Sequence, residues 1–392
     1  MDEYNYKKNF IYDLIATVAF LATYYVMMPV IPAYMLQTGF DKLTIGFVLG
    51  LFSVSSLISR PLGGTWVDVI GCRKLMMLSI ALFFLTPVLF KVSMGLLGMS
   101  LAQLLYGFTV GGFTVAATTF VADISSSQNV AQFMGFHSIA CITAKGLAPA
   151  LGVKLMETYG FEGAVVSTLI LAFIAGIFVF LLKDITIERK KDQHFSFFEV
   201  LLKKGVYIPT LVLFCGLVTF GAISAMMPVF AHERQISGIE YFFMINTATV
   251  VCTRFIMGRW SNKYLEQLVA VSLIILTLSF LSMSVVFNLN QLVAVAVLYG
   301  FGYAILFPML SALLVIHIPK TYRGMALGIY TAAFDLGVAA GAMLGGLSKF
   351  ISFKWVYLLL SIVPLMGYFL FQYVYRPYIE KESINVEVKV NI

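Results

Sequence analysis

The chain has 392 residues, 60% hydrophobic and 11% charged, with 35 phenylalanines and a formal net charge of +7. A soluble domain carries roughly 25% charge, so this chain has too few polar side chains to cover a water-facing exterior. A β-barrel would alternate apolar and polar residues over stretches of about ten; these runs are continuous and about twenty long, enough to span a bilayer's hydrocarbon as helices.

Twelve runs qualify as membrane-spanning helices. The first six are residues 10–35, 43–64, 74–94, 97–121, 132–155 and 163–182. The second six are 208–230, 240–260, 266–287, 292–316, 325–348 and 354–375. The first run follows Lys7 and Lys8 and passes through Pro29 and Pro32 with no small-residue cleavage site. It is therefore expected to stay in place as a span and not to be removed as a signal peptide. Most connections are short, but residues 183–207 hold six basic side chains and divide the chain near its midpoint. The expected organisation is a six-helix bundle over 1–183, a cytoplasmic linker over 184–207, a second six-helix bundle over 208–377 and a cytoplasmic tail over 378–392. That tail alternates charged and β-branched residues too briefly to make a domain.

Lysine and arginine set the expected orientation. With the N-terminus inside, 19 basic residues fall in inner segments and 6 in outer ones, leaving Lys145 within a span. This bias places both termini in the cytoplasm of a multi-pass protein of the plasma membrane, the inner membrane in a cell that has two. It also accounts for the positive net charge without nucleic acid as a partner. The four cysteines, at 72, 141, 215 and 252, are scattered. They fit neither metal-ligand nor disulfide spacing, and no metal or other cofactor is expected.

The chain repeats itself. SRPLGGTWVDVIGCRK at 59–74 returns in part as TRFIMGRWSNK at 253–263. Arg60, Gly64, Trp66 and Asp68 align with Arg254, Gly258, Trp260 and Asn262 at one offset of 194. MMPV occurs at 27–30 and 226–229, and LYGF at 105–108 and 298–301. Gly135 recurs as Gly328 and Gly152 as Gly345, both at the LYGF offset of 193. Steady offsets across separate spans indicate an internal duplication. Two bundles related by an axis along the membrane normal form a transporter architecture, with substrate held near the midplane.

Over nearly its full length the sequence resembles the major facilitator superfamily. GGTWVDVIGCRK is similar to that family's cytoplasmic signature between the second and third helices, with Gly64, Asp68, Gly71, Arg73 and Lys74 at matching positions. The resemblance implies that Asp68 meets the inner end of the eleventh helix and braces an outward-open state. A carboxylate is suited to the positive N-terminal end of a helix, and glycines allow close backbone approach. Asn262 cannot repeat that interaction in the second copy. GFHSIACITAKGLAPALG at 135–152 resembles the family's antiporter signature in Gly135, Pro149 and Gly152, with Ala144 and Ala148 where glycines usually stand. This leans toward export by exchange. In the fourth span the family often has an arginine four residues before Gly107; here the position is Gln103, which brings no fixed cation to a neighbouring carboxylate.

Ionisable residues inside spans are costly and mark pathways or partners. Asp13, Lys145 and Asp335 are the candidates for transport and coupling. Gating candidates are Asp68, Arg73, Arg60, Arg254, Gly64 and Gly71, while Gly135, Pro149 and Gly152 are expected at helix contacts. Tyr24, Tyr25, Gln103 and Phe220 are candidates for the substrate cavity. Asp123 is expected to have a role at a helix-terminal loop, and His137 and His317 to serve packing or interface contacts.

The fold expected is an all-α membrane protein of twelve transmembrane helices in two pseudo-symmetric six-helix bundles, the major facilitator fold. The function expected is alternating-access export of a small amphipathic organic molecule by a monomer in the lipid bilayer, driven by protons entering the cell. One rival is a facilitator or proton symporter importing a sugar or organic anion. Another is a receptor or scaffold that has lost turnover. No nucleophile–base cluster, phosphate loop or metal spacing suggests an enzyme.

Overall fold

The computed structural model describes residues 3–92, 95–126, 128–183, 196–257 and 264–379. Several sequence expectations fall outside these residues. They are the linker over 184–195, the repeated signature from Gly258 to Lys263 with Trp260 and Asn262, and the tail from Glu380.

The described residues are helical, without strands. In order the helices are α1 Glu3–Gln37, α2 Lys42–Ile70, α3 Cys72–Phe83, α4 Thr86–Val92, α5 Leu96–Ile124, α6 Val130–Leu181 and the short α7 Phe197–Leu201. The second half continues with α8 Lys204–Glu233, α9 Ile239–Met257, α10 Leu265–Met283, α11 Leu289–His317, α12 Arg323–Gly345 and α13 Phe353–Leu370. Among the described residues, nine helical segments are long and apolar enough to cross a membrane.

Nine fits the twelve sequence runs for three local reasons. The runs at 132–155 and 163–182 are fused in α6, a 52-residue helix whose path breaks at Gly160, φ 68° and ψ −168°. Only glycine takes such a backbone without strain, so one residue breaks the helix between the two runs. The third run is divided into α3 and α4. Pro87, the second residue of α4, has no N–H to offer the preceding turn and separates the two pieces. The eighth run is the shorter apolar helix Tyr241–Met257.

The residues form two compact units. Unit 1 comprises Met1–Ser126, Phe136–Phe197 and Lys320–Ala332; unit 2 comprises Ser127–Gly135, Phe198–Pro319 and Ala333–Ile392. The first turns of α12 thus pack within unit 1 and the first residues of α6 within unit 2.

Each unit is built around one helix. In unit 1, α5 touches α1, α2, α3 and α4; in unit 2, α11 touches α8, α9 and α10. These hubs are the fourth and tenth sequence runs, which carry the LYGF repeat, and the copies do equivalent work. Gly107 lets α5 close on α2, where a Cβ would strike the carbonyl of Phe52; Gly300 lets α11 close on α9, where one would meet Asn246 and Thr249. Tyr106 donates its hydroxyl to the Thr23 carbonyl of α1 at 3.0 Å. Its copy, Tyr299, lies 3.4 Å from the Thr219 hydroxyl of α8. An edge-on phenylalanine supports the first tyrosine, with Phe83 and Tyr106 centroids 5.1 Å apart, and a tilted one the second, with Phe280 and Tyr299 at 6.2 Å. Two tyrosines at one sequence offset, each tying its hub to the first helix of its half, are the duplication expressed as packing.

The glycines at helix contacts divide into two kinds. Gly152 of α6 faces the Val26 carbonyl of α1, with no room for a methyl group, and its copy Gly345 faces Met226 of α8. Gly135, expected at a helix contact, has open space where a Cβ would go. Pro149 sits inside continuous α6 helix, and the alanines standing in for glycine, Ala144 and Ala148, are both buried. Overpacking a close contact costs about 1–3 kcal/mol. Gly107→Ala and Gly152→Ala should therefore lower the melting temperature of the purified protein in detergent, and Gly135→Ala should leave it unchanged. Equal effects at all three positions would contradict this assignment.

Candidate transport and gating site

The charged signature of the sequence folds into a helix contact within unit 1. The first four N–H groups of a helix have no partner inside it and carry the positive end of its dipole. Asp68, half-buried near the end of α2, satisfies two of them at the start of α12. Its Oδ1 accepts from Gly324 N–H at 3.0 Å and its Oδ2 from Met325 N–H at 2.9 Å. Hydrogen bonds to a charged group are worth about 1.5–3 kcal/mol each, so this two-pronged capture is a substantial clasp.

Glycine makes the clasp possible. A Cβ on Gly64 would run into the backbone of Gly324 and Met325, and one on Gly324 into Asp68 and Gly64. A Cβ on Gly328, one turn further along α12, would meet the carbonyl of Arg60. Gly71 has a different duty. It takes φ 91° between α2 and α3 and allows the chain to turn there.

A second charged contact lies beside the clasp. Arg323 Nη1 donates to Asp123 Oδ1 at 3.1 Å, with side-chain exposures of only 8% and 2%, and to the Ala122 carbonyl at 3.3 Å. The Cys72 thiol is 3.9 Å from the other carboxylate oxygen of Asp123. Asp123 therefore joins the start of α3 and the end of α5 to the start of α12. Sequence reading gave Asp123 a loop role and did not single out Arg323. The available signal was two opposite charges at span ends on the same expected face, one closing the fourth run and one opening the eleventh.

The other gating candidates are spread more widely. Arg73 donates to the Phe180 carbonyl near the end of α6 at 2.6 Å and lies 5.4 Å over that phenylalanine's ring. It braces α3 on α6. Arg60 donates to the Thr114 hydroxyl of α5 at 3.4 Å. Its copy Arg254 is buried in unit 2 and donates to the Ala304 carbonyl of α11 at 3.1 Å. Arg254 borders a small apolar cavity with Gly135, Ala131, Met257, Pro308 and Met309.

The transport candidates sit mid-helix. Lys145 is exposed in α6, in unit 1; Asp335 is half-buried in α12, in unit 2. Beside Asp335, Phe334 lies 6.0 Å from Phe220 of α8, which stacks on Tyr303 of α11 at 5.0 Å. Unit 1 has a comparable cluster. Tyr24 of α1 stacks on Phe52 of α2 at 3.9 Å, with Tyr25 at 5.2 Å and Tyr106 at 6.0 Å. Gln103 is buried in α5, and its Oε1 has no hydrogen-bond partner among the described residues.

Asp13 is fully buried in α1, where its Oδ2 is 3.2 Å from Nδ1 of His137 on α6. His137 Nε2 in turn lies 3.4 Å from the Thr118 hydroxyl of α5. Sequence reading kept these residues apart, since 124 positions separate them. No group of histidine, cysteine, aspartate and glutamate among the described residues could hold a metal ion.

Comparison with known proteins agrees with this fold. A profile of the Major Facilitator Superfamily matches residues 14–267 and 235–389. The staphylopine export protein of Staphylococcus aureus strain Mu50 is 22% identical over 377 residues, covering 90% of this chain and 92% of its own length. Multidrug resistance protein 2 of Bacillus subtilis strain 168 is 24% identical over 358 residues, covering 87% and 88%. Among solved structures, the human organic anion transporter MFSD10 superposes with a TM-score of 0.82 at 18% identity, over 95% of this chain and 100% of that one. FucP in its outward conformation gives 0.79 at 14% identity, over 94% and 99%.

The clasp can be tested with Cys72 as the reporter, since it is buried against Asp123. In a variant that keeps only this cysteine, adding Asp68→Asn or Arg323→Gln should speed its reaction with a maleimide by about tenfold. An unchanged rate in both variants would show that neither contact holds α12 against this face.

Proposed function

Because the chain belongs to the major facilitator superfamily, and is therefore a multi-pass membrane transporter of small molecules rather than an enzyme, we propose that it exports an amphipathic organic solute in exchange for protons. The observation that carries this reading is Asp335, an ionisable group midway along an apolar helix, next to the aromatic group of Phe334, Phe220 and Tyr303. A carboxylate in such a place is costly and is kept where it serves a pathway or a partner. Its protonation would remove that charge, while the aromatic faces suit the apolar part of a solute. Lys145 and the cluster around Tyr24 supply the corresponding features of unit 1.

The bacterial relatives named above are export and drug-resistance proteins, which supports the outward direction. The protein would act as a monomer in the plasma membrane with both termini in the cytoplasm. The Asp68 clasp would hold the cytoplasmic side shut in one state of the cycle and release it in the other. Import of a sugar or organic anion is the second reading, favoured by Gln103, which gives the fourth span no fixed cation. A receptor without turnover would show no flux at all.

Inside-out vesicles with an acidic lumen distinguish these readings. Amphipathic amines and zwitterions, added one at a time, should include at least one that dissipates the pH gradient as the solute enters and protons leave. Asp335→Asn should abolish that response. Sugar or organic anion leaving the lumen together with protons would support import instead, and solute flux indifferent to the gradient would rule out proton coupling.

A further inference from the structure

We propose that Asp13 and His137 together form a second proton-binding site of the transport cycle, in unit 1, in addition to the one at Asp335 in unit 2; the inference rests on the proton-driven reading above. The two side chains are sealed, with 0% and 3% of their surfaces exposed. Phe10 and Phe136 pack edge to face beside them, 6.4 Å between centroids.

Hydrogen-bond bookkeeping shows what the pair holds. Thr118 has a single hydroxyl proton, which it donates to the Thr114 carbonyl at 2.7 Å. The longer 3.4 Å contact with His137 Nε2 therefore runs the other way, ring N–H donating to the hydroxyl oxygen. A neutral imidazole protonated at Nε2 has only a lone pair at Nδ1. That lone pair would face a carboxylate oxygen 3.2 Å away, a repulsive arrangement unless a proton lies between them.

The pair in this structure consequently contains one bound proton and has net charge zero, whether the proton is drawn on the ring or on the carboxyl. Without it, a net negative charge would remain in a sealed site. Asp13 Oδ1 has no hydrogen-bond partner among the described residues, and burying a charge without compensation is strongly unfavourable. Loading forms one N–H or O–H bond with a proton taken from water. Unloading breaks it and returns the proton to water on the opposite side. Because the site is closed here, both steps require the helices to move.

The groups around the pair offer a route to that motion. Cys141 lies one turn beyond His137 on α6 and is its other titratable neighbour. On α5, Thr118 bonds to the carbonyl of Thr114, and the hydroxyl of Thr114 accepts from Arg60 of α2. The Arg60 carbonyl is the surface on which Gly328 of α12 closes. A change of charge at His137 thus reaches the helix contact of the Asp68 clasp through three successive residues.

The full-length protein with isotope-labelled histidine, in lipid nanodiscs, tests proton occupancy by nuclear magnetic resonance, the His137 signal being identified by its loss in His137→Gln. Near neutral pH, Nε2 should be protonated, and Asp13→Asn should change the signal of Nδ1. A neutral ring with bare Nε2 would overturn the proposal. A pH step applied to substrate-free proteoliposomes on a solid-supported membrane tests coupling. The transient current of the unmodified protein should fall by about half in Asp13→Asn and His137→Gln, the remainder belonging to Asp335, with Asp13→Glu restoring part of the loss. Full currents in both variants would overturn this inference alone. No current in the unmodified protein would instead overturn the proton-driven reading on which it rests.

Discussion

The contact on which the rest depends is the Asp68 carboxylate at the amino end of α12. It captures two first-turn amides that would otherwise need water, and it places a full negative charge at the positive end of a helix dipole. Such a contact is strong when made, because each carboxylate oxygen holds a different amide of the same helix end. The glycines at 64, 324 and 328 bring the backbones close enough for it, and the buried Arg323–Asp123 pair adds a second anchor to the same helix start. A transporter needs contacts of this kind, firm enough to define a state and few enough to be released together.

The duplication explains both the likeness of the halves and their difference. Hub glycines and tyrosines recur at one offset and do the same work in each unit, since every bundle needs a packed centre. The glycines at 328 and 135 do not. Gly328 closes on α2 without space to spare, whereas its copy Gly135 has open space and borders the small cavity by Arg254. The signature itself is unequal in the same sense, with aspartate in the first copy and asparagine in the second. One copy kept the charge that can hold a helix end, and the side with the charge is the side that closes tightly.

How much of this was legible in the sequence follows from the range of each interaction. Span positions, the duplication and the Asp68 signature rest on local composition and on repeats, and a linear reading recovers them. The kink at Gly160 and the break before Pro87 are single-residue backbone events, which hydropathy alone smooths over. Arg73 lay inside the signature, yet its guanidinium goes to Phe180 of α6, because side-chain direction depends on which neighbours the fold supplies. The Asp13–His137 pair was hardest to see. Each residue is an isolated polar group in its own helix, and only the packing of α1, α5 and α6 brings them together.

Arg60 of α2, through Thr114 and Thr118 of α5, connects the clasp to the buried pair, so the account links occupancy of a proton site to the position of one helix end. Spin labels at Val69 on α2 and Lys320 just before α12, both exposed in the structure, measure that position directly by electron–electron distance spectroscopy in nanodiscs. The account predicts one short-distance population in the unmodified sequence and a second, longer one when Asp68 is replaced by asparagine. Identical distance distributions for the two proteins would contradict it.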